Sequence, residues 1–222
     1  MNISQRTDTR LPSLAAVAAG VGIALFGLVN SAAADTLPMS WVPPSGMEPG
    51  PIDGTEALLH RSSAGISAQL RTTGLTPGHV VTLWVVAIQN PDLCAANPCS
   101  PVEAMGEGVA MNTVAINGGG AVVDAEGAVR ISSILPSGAV TGNMFDSNLD
   151  APETTEVHLV LHDHGPIIAG EEADMLGSYR GGCTDESIPP YYPASAMTDG
   201  LPGPNSCNTA QVALFVPSDS MN

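Results

Sequence analysis

Stretches in which apolar and polar residues alternate recur along the chain and predict short β-strands. Residues 66–71 alternate in this way, which is the pattern of a strand with one buried and one exposed face. Residues 80–88 are apolar on both faces and rich in β-branched side chains, so we expect an interior strand there, with Trp84 buried in its middle. Helical periodicity is weak throughout, and only residues 168–176 suit one or two helical turns.

Further strands are expected wherever similar stretches lie between turn signals. These stretches are residues 108–116, 121–124, 127–135, 156–162 and 211–216. Residues 117–120, Asn-Gly-Gly-Gly, separate the first two, and Asn-Gly is a strong signal for a β-hairpin turn. Short strands separated by glycine- and proline-rich turns predict an all-β fold, namely an antiparallel β-sandwich of the immunoglobulin-like or Greek-key kind.

The first 34 residues have the features of a secretory signal peptide. Arg6 and Arg10 precede an uncharged apolar stretch at residues 11–29, and Ala32 and Ala34 place small side chains at a signal-peptidase site. We therefore predict cleavage after Ala34 and a secreted or periplasmic protein with no membrane insertion afterwards. An uncleaved anchor helix is the alternative, because the apolar stretch approaches the length that spans a membrane.

The remainder of the chain divides into two parts by composition. Residues 35–52 are rich in proline and glycine and show no apolar period, which indicates a linker or a strapped-down N-terminal arm. Residues 53–222 carry the strand pattern and are long enough to form a single β-sandwich domain with its own core.

The four cysteines of an exported chain predict disulfides. Three pairings are possible, and we expect Cys94 to pair with Cys99 and Cys183 with Cys207, because each pair encloses a proline-rich loop. The second of these loops is long and irregular, so we predict a sandwich with long disulfide-closed loops. Neither pair has the close Cys-x-x-Cys spacing of a zinc site.

The charge balance limits the choice of partners. The sequence has 22 acidic residues against 6 arginines and lysines, and its formal net charge is −16. Such a chain lacks the basic surface that nucleic acids and anionic membranes require, so no nucleic-acid partner is expected. It suits divalent cations or cationic partners, and a solvated acidic surface is the simpler interpretation.

Three segments of the sequence, taken together, resemble a known group of proteins. Residues 75–99, residues 156–166 (Glu-Val-His-Leu-Val-Leu-His-Asp-His-Gly-Pro) and the Gly-Gly-Cys at 181–183 together resemble a family of uncharacterised exported bacterial β-sandwich proteins. The resemblance implies export and a β-sandwich but no activity. The alternation around His158 is also similar, at the level of fold, to strands of chordin-type and copper/zinc superoxide dismutase sandwiches. The spaced metal-binding histidines of the dismutases are not reproduced here, so no dismutase role is implied.

One cluster of side chains suits metal chemistry. His158, His162 and His164 lie at even spacing and therefore share one face of a strand, and two imidazoles at i and i+2 can reach one copper or zinc ion. A further ligand would have to come from elsewhere, with His60, His79 or an acidic residue as candidates. The alternative is that the histidines form the polar, solvent-facing side of an edge strand, with His158 or His164 bonded to a neighbouring loop carbonyl.

Sequence signatures of catalysis are missing. The chain has no Gly-x-Ser-x-Gly, no His-Glu-x-x-His, no phosphate-binding loop and no dinucleotide fingerprint, although a Ser/His/Asp set would be recognised only by geometry. Tyr191 and Tyr192 are a candidate contact patch, or else a cover for the core. We therefore predict a non-enzymatic exported binding or envelope-associated module, whose partner is a protein, a glycan or a small ligand. The alternative function is copper or zinc binding by the histidine cluster.

Overall fold

The computed structural model describes residues 34–42 and 47–217. The predicted signal peptide therefore lies, apart from Ala34, outside the described residues. Within the described ranges, no helix is long and apolar enough to cross a membrane.

Antiparallel β-strands dominate the described part of the chain. They are β1 Asp35–Leu37, β2 Ser40–Trp41, β3 Gly50–Pro51, β4 Glu56–Ser62, β5 Gly65–Thr72, β6 His79–Ile88, β7 Thr113–Val122, β8 Val129–Pro136, β9 Gly138–Ala139, β10 Asn148–Leu149, β11 Glu156–Pro166 and β12 Asn208–Phe215. The helix α1 spans Glu172–Gly177. Single helical turns occur at Pro91–Leu93, Val102–Gly106, Pro152–Thr154 and Asp185–Ser187.

Two antiparallel sheets form a sandwich. One sheet has the strand order β1-β4-β5-β8, the other has the order β3-β2-β12-β11-β6-β7, and β9 pairs with β10 as a separate small ribbon. The main core lies between the two sheets, where Leu59 and Leu70 of the first pack with Leu83 and Leu159 of the second. The predicted all-β antiparallel sandwich is therefore confirmed.

The N-terminal arm is strapped to the sandwich through short strands. β1 pairs with β4 in the four-stranded sheet, while β2 pairs with β12 in the six-stranded sheet. Met39, between these two strands, is fully buried in the main core. The arm therefore contributes one short strand, β1, to the four-stranded sheet and two, β2 and β3, to the six-stranded sheet instead of acting as a free linker.

The hairpin predicted at residues 117–120 is wrong. β7 runs through these residues as one strand, and its pairing with β6 shifts so that Gly118 has no opposite residue, which is a β-bulge. Gly119 adopts a positive φ of 124° that favours glycine. A Cβ on Gly120 would come within 2.5 Å of the Leu176 carbonyl oxygen, so the glycine also lets α1 pack closely against the strand. Residues 108–112, predicted as strand, form turns.

The six-stranded sheet is covered on both faces. β6 lies between β11 and β7, and its residues from Val80 onward are buried, as predicted for an interior strand. Its Leu83 and Val85 face the main core, whereas Trp84 and Val86 belong to a second apolar cluster on the outer face. The predicted burial of Trp84 is confirmed, since only 3% of the residue is exposed.

Three irregular segments cover this outer face, and we call them the cover loops. They are residues 94–111, 144–145 and 179–207. The predicted disulfides Cys94–Cys99 and Cys183–Cys207 are confirmed and close the first and third of these segments. The predicted long, disulfide-closed loops thus pack onto the sheet and build a second core.

Candidate ligand-binding cavity

A cavity of about 440 Å³ lies between the six-stranded sheet and the cover loops. The sheet contributes the apolar side chains of Trp84, Val86, Val160, Val212 and Leu214. The cover loops contribute Met105, Met144, Tyr179, Tyr191 and Tyr192, together with Cys99 and Cys207 of the two disulfides. The lining is therefore mostly apolar, with a few polar groups at its edges.

Aromatic side chains are concentrated around this cavity. The whole chain has three tyrosines and two tryptophans, and all three tyrosines and Trp84 line it. Tyr179 contacts Trp84 edge-on with ring centroids 5.3 Å apart, and it lies 5.2 Å from Tyr192, which in turn lies 5.2 Å from Tyr191. Aromatic contacts of this kind are favourable beyond the area they bury, so the four rings form one cohesive wall.

The tyrosine hydroxyls stay neutral near physiological pH. Burial raises the pKa of Tyr179 well above its ordinary value, and the neighbouring Tyr192 and Tyr191 raise it further. Burial likewise raises the pKa of Tyr192 to about 12. The wall therefore carries hydroxyl groups that can hydrogen-bond but no tyrosinate charge.

Backbone hydrogen bonds hold the tyrosines in place where no regular element does so. The Tyr179 amide, just after α1, donates to the Asp199 carboxylate at 2.9 Å. Tyr192 lies in a proline-rich turn, in which its amide donates to the Pro189 carbonyl at 3.0 Å. Ser195 donates its hydroxyl to the Met144 carbonyl at 2.6 Å and so joins two of the cover loops.

A buried polar pair stands at one side of the cavity. His158, which lines the cavity, donates from Nε2 to the Glu156 carboxylate at 2.6 Å, and the Cys99 amide donates to the same carboxylate oxygen at 2.8 Å. Both side chains of the pair are at least 90% buried. The pair therefore links β11 to the first disulfide loop.

His162 lines the cavity and has a buried nitrogen without a hydrogen-bond partner among the described residues. Its ring stacks on Tyr179 with centroids 4.4 Å apart, and its Nδ1 atom is buried without a hydrogen-bond partner in the described structure. Burial lowers the pKa of His162 well below its ordinary value, and His164 lowers it further. The imidazole is therefore neutral at pH 7 and has hydrogen-bonding capacity to spare.

His164 is held by two hydrogen bonds behind the cavity wall. Its Nδ1–H donates to the Gly181 carbonyl at 2.8 Å, which leaves Nε2 to accept from the Thr82 hydroxyl at 2.8 Å. The same hydroxyl accepts the indole N–H of Trp84 at 3.0 Å. Burial lowers the pKa of His164, in agreement with a neutral ring.

The three histidines of the predicted cluster share one strand face, but that face is not exposed. The alternative interpretation of a solvent-facing edge strand is wrong, because β11 pairs with β12 on one side and β6 on the other and the cover loops bury His158, His162 and His164. Its expected bond from one of these histidines to a loop carbonyl is confirmed for His164, which donates to Gly181. The structure brings His162 and His164 together with Cys183 and Cys207, whereas His158 is paired with Glu156. Their metal-binding role stays a prediction.

The two candidate histidines for a further ligand lie elsewhere. His79 pairs through Nδ1 with the Asp163 carboxylate at 3.0 Å, and His60 lies on β4 in the opposite sheet, opposite Ser67. The groups that complete the His162 and His164 cluster are instead Cys183 and Cys207, for which the sequence predicts only a disulfide. The packing of the third cover loop brings these cysteines close to the two histidines. The spacing of the four residues in the sequence does not indicate this proximity.

Glu103 organises the first disulfide loop, which places Met105 against the cavity. Its carboxylate accepts hydrogen bonds from the hydroxyl and the amide of Ser100 and from the amide of Ala95. The Ser100 hydroxyl is the main cause, with the two amides, of a pKa lowered from the usual 4.5 to about 2. The charged carboxylate thus acts as a local tie within the loop.

We expect this tie to contribute stability above pH 4.5 that is lost as the pH falls toward 2, because the unfolded chain binds the proton first. In Glu103→Gln, the free energy of unfolding should fall less steeply over that range than in the wild type. Urea unfolding at successive pH values measures this difference. Glu126→Gln, which removes an exposed carboxyl elsewhere, controls for the charge; equal slopes for Glu103→Gln and the wild type would contradict the assignment.

No protein-family model, curated protein or solved structure matches the chain. The family resemblance inferred from the sequence therefore stays a prediction.

Proposed function

We propose that the protein is a non-enzymatic binding module that holds a small, mainly apolar ligand in the cavity between the six-stranded sheet and the cover loops. The observation that carries this proposal is the gathering of all three tyrosines and Trp84 of an aromatic-poor chain around one cavity. A volume of about 440 Å³ is in the range of small-molecule sites, which are lined by apolar and aromatic side chains with a few polar groups.

The electrostatics of the cavity favour a neutral or cationic ligand. No arginine or lysine is among the described residues that line it, and the chain as a whole has a formal net charge of −16. The faces of tyrosine and tryptophan rings attract cations, and the Glu156 carboxylate lies just behind His158. An anionic ligand would find neither a charge partner nor a favourable field.

The polar groups at the cavity support binding over catalysis. The Ser187 hydroxyl donates or accepts with Thr184 and accepts from the Cys207 amide, so its described partners do not include a histidine base. The imidazole of His158 is engaged by a carboxylate. The described cavity thus offers hydrogen-bonding groups without an activated nucleophile next to a base.

We further propose that this binding takes place outside the cytoplasm, in the periplasm or the extracellular space. Two disulfides suit an oxidising compartment. The signal-like residues 1–34 support the same location.

Narrowing the cavity should weaken ligand binding without disturbing the main core. Val160 lines the cavity from β11, so Val160→Phe should weaken the binding of a neutral or cationic aromatic probe by at least about tenfold. The probes are phenol and benzyltrimethylammonium, with benzoate as the anionic comparison, and NMR titration measures the dissociation constants. Benzoate should bind the wild type more weakly than either of the other two.

Ile134→Phe is the matched control for the larger side chain. Ile134 lies on β8 in the other sheet and is 79% exposed, so this variant should bind the probes like the wild type. Equal affinities of the wild type and Val160→Phe for every probe, or no saturable binding to either, would refute the proposal.

A further inference from the structure

Behind the cavity wall, four potential metal ligands converge. His162 and His164 extend from β11, Cys183 follows α1, and Cys207 immediately precedes β12. Their ligand atoms all lie within 4.8 Å of one another, and all four residues are buried. Two imidazoles and two sulfurs form the donor set of tetrahedral zinc sites.

The distances between donors already approach those of such a site. The Cys183 sulfur lies 3.5 Å from His164 Nδ1 and 3.9 Å from His162 Nε2. Zinc bonds of roughly 2.05 Å to nitrogen and 2.3 Å to sulfur place tetrahedral neighbours about 3.6 Å apart. Only small side-chain movements would therefore bring these three atoms around one ion.

His162 supplies an independent indication that this cluster suits a metal ligand set. Its ring is buried, Nδ1 has no hydrogen-bond partner among the described residues, and Nε2 has only the long contact to the Cys183 sulfur. A buried imidazole without a strong partner is costly for a folded protein, and coordination through Nε2, the nitrogen that faces the Cys183 sulfur, would give the ring one strong partner.

The redox state of the Cys183–Cys207 disulfide determines whether this cluster can bind a metal. In the oxidised protein each sulfur is bonded to the other and cannot act as a thiolate ligand. We propose that reduction of Cys183–Cys207 converts the cluster into a zinc site formed by Cys183, Cys207, His162 and His164. Disulfide and zinc are then alternative links between the same two segments of the chain.

A dithiol reductant supplies the electrons and protons for the conversion of the disulfide into the zinc site. Two electrons and two protons from the dithiol break the Cys183–Cys207 bond and give two cysteine thiols, and the reductant leaves as its own disulfide. Zn²⁺ then binds both sulfurs and releases the two thiol protons to solvent. Cys207 lines the cavity, so the reductant has a route to the bond from that side.

Thr82 is placed to support the zinc-bound form. Coordination through His164 Nδ1 moves the ring proton to Nε2 and frees the Gly181 carbonyl. The Thr82 hydroxyl lies 2.8 Å from Nε2 and has a second lone pair beside the one used by Trp84, so it can accept this proton's hydrogen bond. A fixed partner on the second ring nitrogen is typical of histidines that bind metals.

Zinc titration of the full chain in both redox states tests the proposal. The protein is reduced with a phosphine, desalted without oxygen, and titrated with Zn²⁺ against a chromophoric chelator. We expect one zinc per reduced chain, bound at least about a thousandfold more tightly than by the oxidised chain. Co²⁺ in place of zinc should give the absorption of tetrahedral thiolate coordination in the reduced chain alone.

Matched variants separate the two cysteine pairs and the histidines. Cys94→Ser/Cys99→Ser should keep the zinc site, whereas Cys183→Ser/Cys207→Ser should lose it. His162→Gln should weaken zinc binding at least about tenfold, and His60→Gln on the opposite sheet should leave it unchanged. If the reduced chain unfolds without metal, zinc should restore the circular dichroism of the oxidised protein.

Zinc binding that is equal in the oxidised and reduced chains would overturn the proposal. So would loss of the site in Cys94→Ser/Cys99→Ser with retention in Cys183→Ser/Cys207→Ser, or a reduced, unfolded chain that zinc does not restore. None of these outcomes depends on whether the cavity binds an aromatic ligand, because that experiment uses the oxidised protein.

Discussion

Replacement of Trp84 by alanine should lower the free energy of unfolding by about 3–5 kcal/mol, a large share of the stability of a domain. Only 3% of the residue is exposed, and its indole packs edge-on against Tyr179. Its N–H donates to Thr82, whose hydroxyl in turn holds His164. The substitution therefore removes the side chain that connects β6 to the cover loops.

Urea unfolding of the wild type and Trp84→Ala measures the loss. Trp41→Ala is the matched control, because Trp41 is only partly buried and packs on the main core from the N-terminal arm. Its cost should be clearly smaller. If Trp84→Ala cost no more than Trp41→Ala, the attachment of the cover loops to the sheet would not depend on the indole, and the second core would contribute little to the free energy of unfolding.

Loss of the Cys183–Cys207 disulfide should cost about 3.5 kcal/mol if its effect is on the entropy of the unfolded chain. The two cysteines are 24 residues apart and enclose most of the third cover loop, which has few regular elements of its own. Cys183→Ala/Cys207→Ala avoids burying a hydroxyl beside the histidines. Tyr191 and Tyr192 lie within the released loop, so the cavity should become less ordered as well.

Cys94→Ala/Cys99→Ala is the comparison, since its loop closes over a separation of only 5 residues. It should cost about 2 kcal/mol, and the difference between the two double variants follows from loop length. Thermal or urea unfolding of both, in the absence of reductant, gives the values. An unchanged melting temperature for Cys183→Ala/Cys207→Ala would mean that other contacts order the loop.

The sandwich was predictable because alternation reports which side chains share a face. The strands at 66–71, 80–88 and 156–162 appear as β5, β6 and β11, and the shared face of His158, His162 and His164 is as expected. Both disulfides were predictable from export and loop composition. Each of these features follows from a short stretch of sequence, so it can be predicted without knowing how distant parts of the chain pack.

The prediction of a hairpin at residues 117–120 is wrong because the conformation there depends on packing against a distant part of the chain. Asn-Gly normally favours a tight turn, but here the bulge at Gly118 and the contact of Gly120 with Leu176 keep the chain extended as part of β7. The glycines serve the approach of α1, which belongs to a part of the sequence more than 50 residues away. Local turn propensity has no information about that partner.

The cavity could not be predicted, because alternation does not reveal whether a polar-looking face will be covered. His158, His162 and His164 suggested solvent or metal, and the cover loops that bury them have no periodicity from which their packing follows. Tyr179 had no sequence signal at all. The nearest indication was the pair Tyr191 and Tyr192, for which a contact patch or a cover for the core were both open; the structure shows that they line the cavity and pack against the second core.

The most direct test of the cavity as a binding site uses Trp84 as its reporter. In a Trp41→Phe variant, Trp84 is the remaining tryptophan of the chain, and it lines the cavity. A neutral aromatic heavy-atom quencher such as 4-iodophenol should quench its fluorescence to saturation with one quencher per chain, and Val160→Phe should raise the concentration needed for saturation by at least about tenfold. Quenching that rises linearly with concentration and is the same in both backgrounds would show only collisions, and would contradict a ligand-binding cavity.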